Sequence, residues 1–156
     1  MRSTTYLRVW IMLLLGALAL VAAGLLLYGH DAARMAPEYS NLLWPVWVAT
    51  LLPLMAVAGV LICGIRLTRL MDRGQAFSQS TVKEFARIKY LFAAAGALLL
   101  APVLTIWTTG APLHLSIVTL WGGATILSAF GMTSAAIMHH LFSHAVRLRE
   151  ENELTV

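Results

Sequence analysis

Long apolar runs and short polar breaks alternate along this chain, and the breaks are unequal. Four runs exceed the roughly 18 apolar residues that cross a hydrocarbon core about 30 Å thick. They are Val9 to Tyr28, Leu42 to Ile65, Tyr90 to Thr109 and Leu115 to Met138, and none contains Asp, Glu, Lys or Arg. Between the second and third lies Arg66 to Lys89, RLTRLMDRGQAFSQSTVKEFARIK, the one long polar segment inside an otherwise oily chain. The pattern predicts an all-α polytopic membrane protein whose single domain, residues 1–156, is a bundle of four transmembrane helices. A helical loop over residues 66–89 joins helices 2 and 3, and a tail over residues 143–156 follows helix 4.

The polar segment has readable local structure. Leu67, Leu70 and Met71 continue the helical spacing of the second run until Gly74, which offers the left-handed position that ends a helix. Ser78 then caps a new helix, with Phe77 and Val82 placed as a hydrophobic staple. Thr81 and Glu84 supply an alternative capping box. The new helix carries Val82, Phe85, Ile88 and Lys89 toward the third run, so its apolar side is expected on the bilayer surface or on a partner.

Elsewhere the breaks are short. Gly29 to Asn41 reads as an outer loop, and Gly110 to Leu113 as a tight turn that makes helices 3 and 4 antiparallel neighbours. The first run continues past a signal-like Ala22-Ala23, which favours an uncleaved helix. Trp44 and Trp47, near Tyr28 and Tyr39, suit an aromatic belt at the headgroup level. Pro53 and Pro102 each remove a backbone donor in mid-span and so invite kinks. Small residues form stripes: Gly16, Ala19 and Ala23 with Ala17 and Gly24 on helix 1, then Thr125, Ala129 and Thr133 beside Gly131 and Ala135 on helix 4. Two stripes on helix 4 predict packing on more than one side and a central place in the bundle. Helical character continues beyond the span through HHLFSHAVRLREE.

Composition supports lipid as the main solvent, with 60% hydrophobic and 12% charged residues. The net charge of +4 would suggest nucleic acid if read alone, but its placement explains it better. With the N-terminus inside, Arg2, Arg8, Arg66, Arg69, Arg73, Lys83, Arg87, Lys89, Arg147 and Arg149 are all inside, and Arg34 alone is outside. That bias places both termini in the cytoplasm, where the same cations face anionic headgroups. Direct nucleic-acid binding is therefore not expected. The single cysteine, Cys63, falls within an apolar run and reads as packing.

Candidate chemistry is sparse. His140 and His144 share a helical face and have a spacing that suits a transition metal, but a third ligand would have to come from a residue such as Asp72 or Glu84. His30 and His114, at the outer ends of helices 1 and 4, would meet across a haem only if those helices were neighbours. The plainer reading leaves all of them as interfacial histidines and expects no cofactor. The sequence has no HExxH, no phosphate-binding glycine loop, no CxxC and no carboxylate pair within a run. It also lacks the mid-membrane ionisable residue usual in pumps and ion-coupled carriers. A non-enzymatic protein is expected.

Two motifs, read with the four-run layout, resemble the bacterial membrane family known as domain of unknown function 2975. One is Gly74, Phe77, Ser78 and Val82 followed by Arg87 and Ile88. The other is the tail Leu148, Glu150, Glu151, Asn152, Glu153, Leu154, Thr155 and Val156. The resemblance implies a membrane component working with a small cytoplasmic helix-turn-helix regulator, and no DNA-binding domain of its own is expected after the tail. Gly74, Phe77, Ser78, Val82, Glu151, Asn152, Leu154, Thr155 and Val156 are then the expected partner-binding residues. Leu154 and Val156 inside an acidic frame suit either a basic partner surface or the chain's own basic loop. Three alternatives remain: a membrane-embedded carrier of lipid, haem or metal, an accessory subunit of a membrane complex, and a homodimer formed through the small-residue stripes.

Overall fold

A computed structural model describes residues 2–35, 40–109 and 115–153, with side chains described for residues 4–27, 31, 47–100, 104 and 119–151. Four helices make up nearly all of it: α1 (Arg2–Met35), α2 (Ser40–Asp72), α3 (Gln79–Thr109) and α4 (Leu115–Glu153). Three contain stretches long and apolar enough to cross a membrane, Thr4–Leu27, Trp47–Asp72 and Thr119–Glu151. They mark a membrane protein. The remaining expected span, Tyr90 to Thr109, is helical, but it runs into residues 101–103 and 105–109, whose side chains lie outside the described set.

The helices are longer than the apolar runs. α1 continues to Met35 and α2 begins at Ser40, so most of the expected outer loop from Gly29 to Asn41 is helix. The reason is local, since Asp31 to Met35 contains no Gly or Pro and the first proline is Pro37. At the other end α2 reaches Asp72 and α3 starts at Gln79, which reduces the expected loop over residues 66–89 to a turn, Arg73–Ser78, between two helix ends. Neither Pro53 nor Pro102 ends its helix.

Each helix packs antiparallel on the next. Ile11 and Arg8 of α1 meet Gly64 and Thr68 of α2. Gly59 and Arg66 of α2 meet Leu91 and Glu84 of α3, and Phe92 and Val82 of α3 meet Gly131 and His139 of α4. Among the described residues α1 touches only α2, and α4 touches only α3. The helices therefore form a serial row, with α1 and α4 at its edges.

This corrects the expectation that α4 is central. Only one of its small stripes is used: Ser128, Gly131 and Ala135 face α3, and Ser128 and Ala135 are buried. Ala129 and Thr133 are exposed, and the hydroxyls of Thr125 and Thr133 donate to the carbonyls of Trp121 and Ala129 on their own helix. Those hydroxyls need no neighbour. On α1, likewise, Gly16, Ala17, Ala19, Ala23 and Gly24 are exposed. Contact with α2 is made along another stripe, Arg8, Ile11, Leu15, Leu18 and Ala22, spaced alternately by three and four as in shallow antiparallel crossings.

Among the described glycines the tightest site is Gly131, where an added Cβ would stand 2.6 Å from the Phe92 ring. Gly131→Ala must displace an aromatic ring packed against backbone, at a cost of about 1–3 kcal/mol. Gly123→Ala adds a methyl where nothing lies within 4 Å. Thermal unfolding of the detergent-solubilised protein should show a lowered midpoint for Gly131→Ala and an unchanged one for Gly123→Ala, whereas equal midpoints would contradict the α3–α4 contact.

Candidate functional site

Among the described residues every charged side chain but Asp31 lies toward the end of the row that carries the Arg73–Ser78 turn. α2 stops there because Gly74 takes φ +69°, a conformation that glycine adopts without the steric cost of a Cβ. The Gly74 N–H then donates to the Met71 carbonyl (3.0 Å) and the Gln75 N–H to the Leu70 carbonyl (2.9 Å). This is a complete Schellman closure. Four residues later Ser78 caps α3, its Oγ accepting from the Thr81 N–H at 3.4 Å. The Thr81 hydroxyl donates back to the Gln75 carbonyl (3.1 Å), tying the two ends of the turn together.

The turn is fastened to α4 as well. Phe142 lies between Phe77 and Phe85, stacked on the first at a centroid distance of 5.5 Å and tilted to the second at 5.1 Å. His139 donates from Nδ1 to the Val82 carbonyl (3.1 Å), and Gln79 Nε2 donates to Glu150 (3.3 Å). The apolar side of the start of α3 is thus spent on α4, with Val82 buried. It is not a separate surface helix, because 79–109 is continuous.

Two charged clasps hold the other helix ends. Arg8 of α1 donates to the hydroxyl of Thr68 (3.1 Å) and to Asp72, and Thr68 is almost wholly buried with its own hydroxyl on the Ile65 carbonyl. Glu84 of α3 is 7% exposed. Its Oε1 accepts from Arg87 at 2.5 Å and lies 3.7 Å from Arg66 of α2, while Oε2 is buried with no hydrogen-bond partner. The alternative capping box therefore does not form, since a carboxylate turned toward two guanidinium groups gains more than one turned back to a backbone N–H.

Of the expected partner-binding residues, Gly74, Phe77 and Ser78 lie on the turn and Val82 on α3, and Phe77 and Val82 touch α4. Phe77 remains 54% exposed despite its stack. Glu151 lies farther along α4, paired with Arg147 (3.2 Å). Asn152 is helical with its side chain outside the described residues, and Leu154, Thr155 and Val156 lie outside them altogether. The question of tail-to-loop packing falls on those residues.

His140 and His144 do meet, with Nε2 atoms 3.2 Å apart and rings edge to face, both exposed. Neither proposed third ligand joins them, since Asp72 is held by Arg8 and Glu84 by the arginines. Among the described residues no three His, Cys, Asp or Glu side chains gather as a metal site. The side chains of His30 and His114 lie outside the described residues.

Sequence reasoning missed Phe142, His139 and the Arg8–Thr68–Asp72 clasp, which exist only once the helices are paired. The Glu84 and Arg87 pair was readable from its i, i+3 spacing. The assembled end presents a half-exposed aromatic ring, Phe77, stacked on α4.

A family model described as "Protein of unknown function (DUF2975)" matches residues 27–156, which take in α2, α3 and α4 and the end of α1. No curated protein matches the chain, and no solved structure does.

Phe142 is the shared contact that holds the turn. An aromatic pair contributes about 0.5–1.5 kcal/mol beyond its buried area, so Phe142→Ala should raise the rate of trypsin cleavage after Arg73 by roughly threefold to tenfold. An unchanged rate would mean that the turn is held without the Phe77 stack.

Proposed function

The chain belongs to the DUF2975 family of proteins of unknown function, and from that premise we infer that it is a non-enzymatic, regulatory protein of the bacterial inner membrane. It crosses the membrane four times, with both termini in the cytoplasm. The end bearing the Arg73–Ser78 turn is its cytoplasmic face, and there it docks a small helix-turn-helix regulator, with no direct contact to nucleic acid.

One observation carries this reading. Phe77 stands half-exposed on a turn that has a glycine closure at one side, a serine cap at the other and an aromatic stack beneath it. A large apolar ring held in a fixed place with little left to lose in entropy is what a docking anchor requires. Exposed Glu150, tied to Gln79, and Glu151 farther along α4 add acids at one edge of an otherwise basic face, local contacts for cationic side chains of a DNA-binding protein. The orientation rests on the charges: of the eleven Lys and Arg residues, all but Arg34 fall at this end.

A second reading, assembly with further membrane helices including a second copy of the chain, draws on the uncovered small-residue faces of α1 and α4.

Crosslinked pull-downs from native membranes test the docking. The intact protein should capture a small DNA-binding protein, and variants that lack Asn152 to Val156 or carry Phe77→Ala, inserted at equal level, should lose it. If no soluble protein is enriched by the intact form, the docking idea fails. Orientation has its own test in a Cys63→Ala background. An impermeant thiol reagent added outside intact inner-membrane spheroplasts should label Ala111→Cys and leave Gln75→Cys unlabelled until the membrane is opened. The reverse pattern would invert the topology.

A further inference from the structure

Between α2 and α3, next to the Glu84 clasp, lies a groove of about 430 Å³, within the range of roughly 300–1,000 Å³ typical of ligand sites. Its two ends differ in chemistry. Gly59, Ile62 and Leu91 make an apolar wall within the spans, with Leu91 packed over Gly59. Arg66, Arg87 and Tyr90 form its mouth. Arg66 is the first charged residue after the second apolar run, and Tyr90 opens the third, so the mouth stands where the helices leave the hydrocarbon.

The charges at the mouth do not cancel. Glu84 draws one guanidinium from each helix to the same place, yet it is a single carboxylate facing two cations. Both arginine side chains stay more than half exposed, at 53% and 56%, with most of their donors free of Glu84. Lys89 lies outside the groove, its Nζ 4.7 Å from the centre of the Tyr90 ring. Two convergent guanidinium forks with excess positive charge match the oxygens of a phosphate. An apolar trough running from them into the membrane matches an acyl chain.

We propose that this groove is a binding site for an anionic phospholipid of the inner leaflet. Arg66 and Arg87 hold the phosphate, and an acyl chain lies along Gly59, Ile62 and Leu91. Glu84 is a positioning residue that brings the two arginines together from different helices. The net anionic headgroup is preferred over a zwitterionic one because the mouth carries two cations against one carboxylate. This site is independent of whether the cytoplasmic face docks a partner.

The test is native mass spectrometry of the full chain released from vesicles of phosphatidylcholine mixed with phosphatidylglycerol. The intact protein should retain phosphatidylglycerol in excess of phosphatidylcholine. Arg66→Gln with Arg87→Gln should cut the retained phosphatidylglycerol about tenfold, and Arg69→Gln, outside the groove, should leave it unchanged. Ile62→Trp fills the trough and keeps both arginines, so it too should expel the lipid, and it decides the matter alone if the arginine variant does not fold. Retention equal to the intact protein in the folded groove variants overturns the proposal. Displacement of the lipid by excess inorganic phosphate also overturns it, because the site would then recognise a soluble anion and not a lipid.

Discussion

Glu84 is the one carboxylate buried among the described residues, and the ends of α2 and α3 are arranged around it. A carboxylate removed from water is costly unless cations and donors reach it, and here they come from both helices. Arg87 is supplied by the same helix one turn on, and Arg66 by the neighbour. Arg66 sets the register of α2 against α3, because sliding either helix by a turn would leave the buried carboxylate with Arg87 alone. The Arg8 clasp does the same for α1 against α2, using the buried hydroxyl of Thr68 and the acid at Asp72.

Within the apolar part of the row, register is set by size instead. Lipid offers no hydrophobic gain from bringing two oily helices together, so close van der Waals contact has to hold them. Gly131 receives the ring of Phe92, Gly59 receives Leu91, and Gly96 lies against Ser128. Polar clasps at one end and small-to-large contacts along the length therefore act on the same pairs of helices.

The helices were legible because an apolar run of membrane length has few other readings, and the turn was legible because Gly74 and Ser78 act through their own backbone neighbours. Helix ends were less so: the C-terminal end of α1 reads as loop from its polarity, though nothing between Asp31 and Met35 breaks a helix. Which small stripe would be used could not be read at all. Thr125, Ala129 and Thr133 look as fit for packing as Ser128, Gly131 and Ala135, and only the position of Phe92 on another helix distinguishes them. The same holds at the charged end, where Phe142 was one apolar residue among several until α3 lay beside it.

The serial row also bears on how the molecule is built. Every described interhelical contact is between a helix and the one before or after it in the chain. Such a topology has low contact order for its length, since no segment has to close a loop around intervening helices to find its partner. A helix entering the bilayer meets its neighbour already seated, and the pair is complete before the next arrives. Synthesis and assembly can thus proceed in one direction, with no early helix left waiting for a late one.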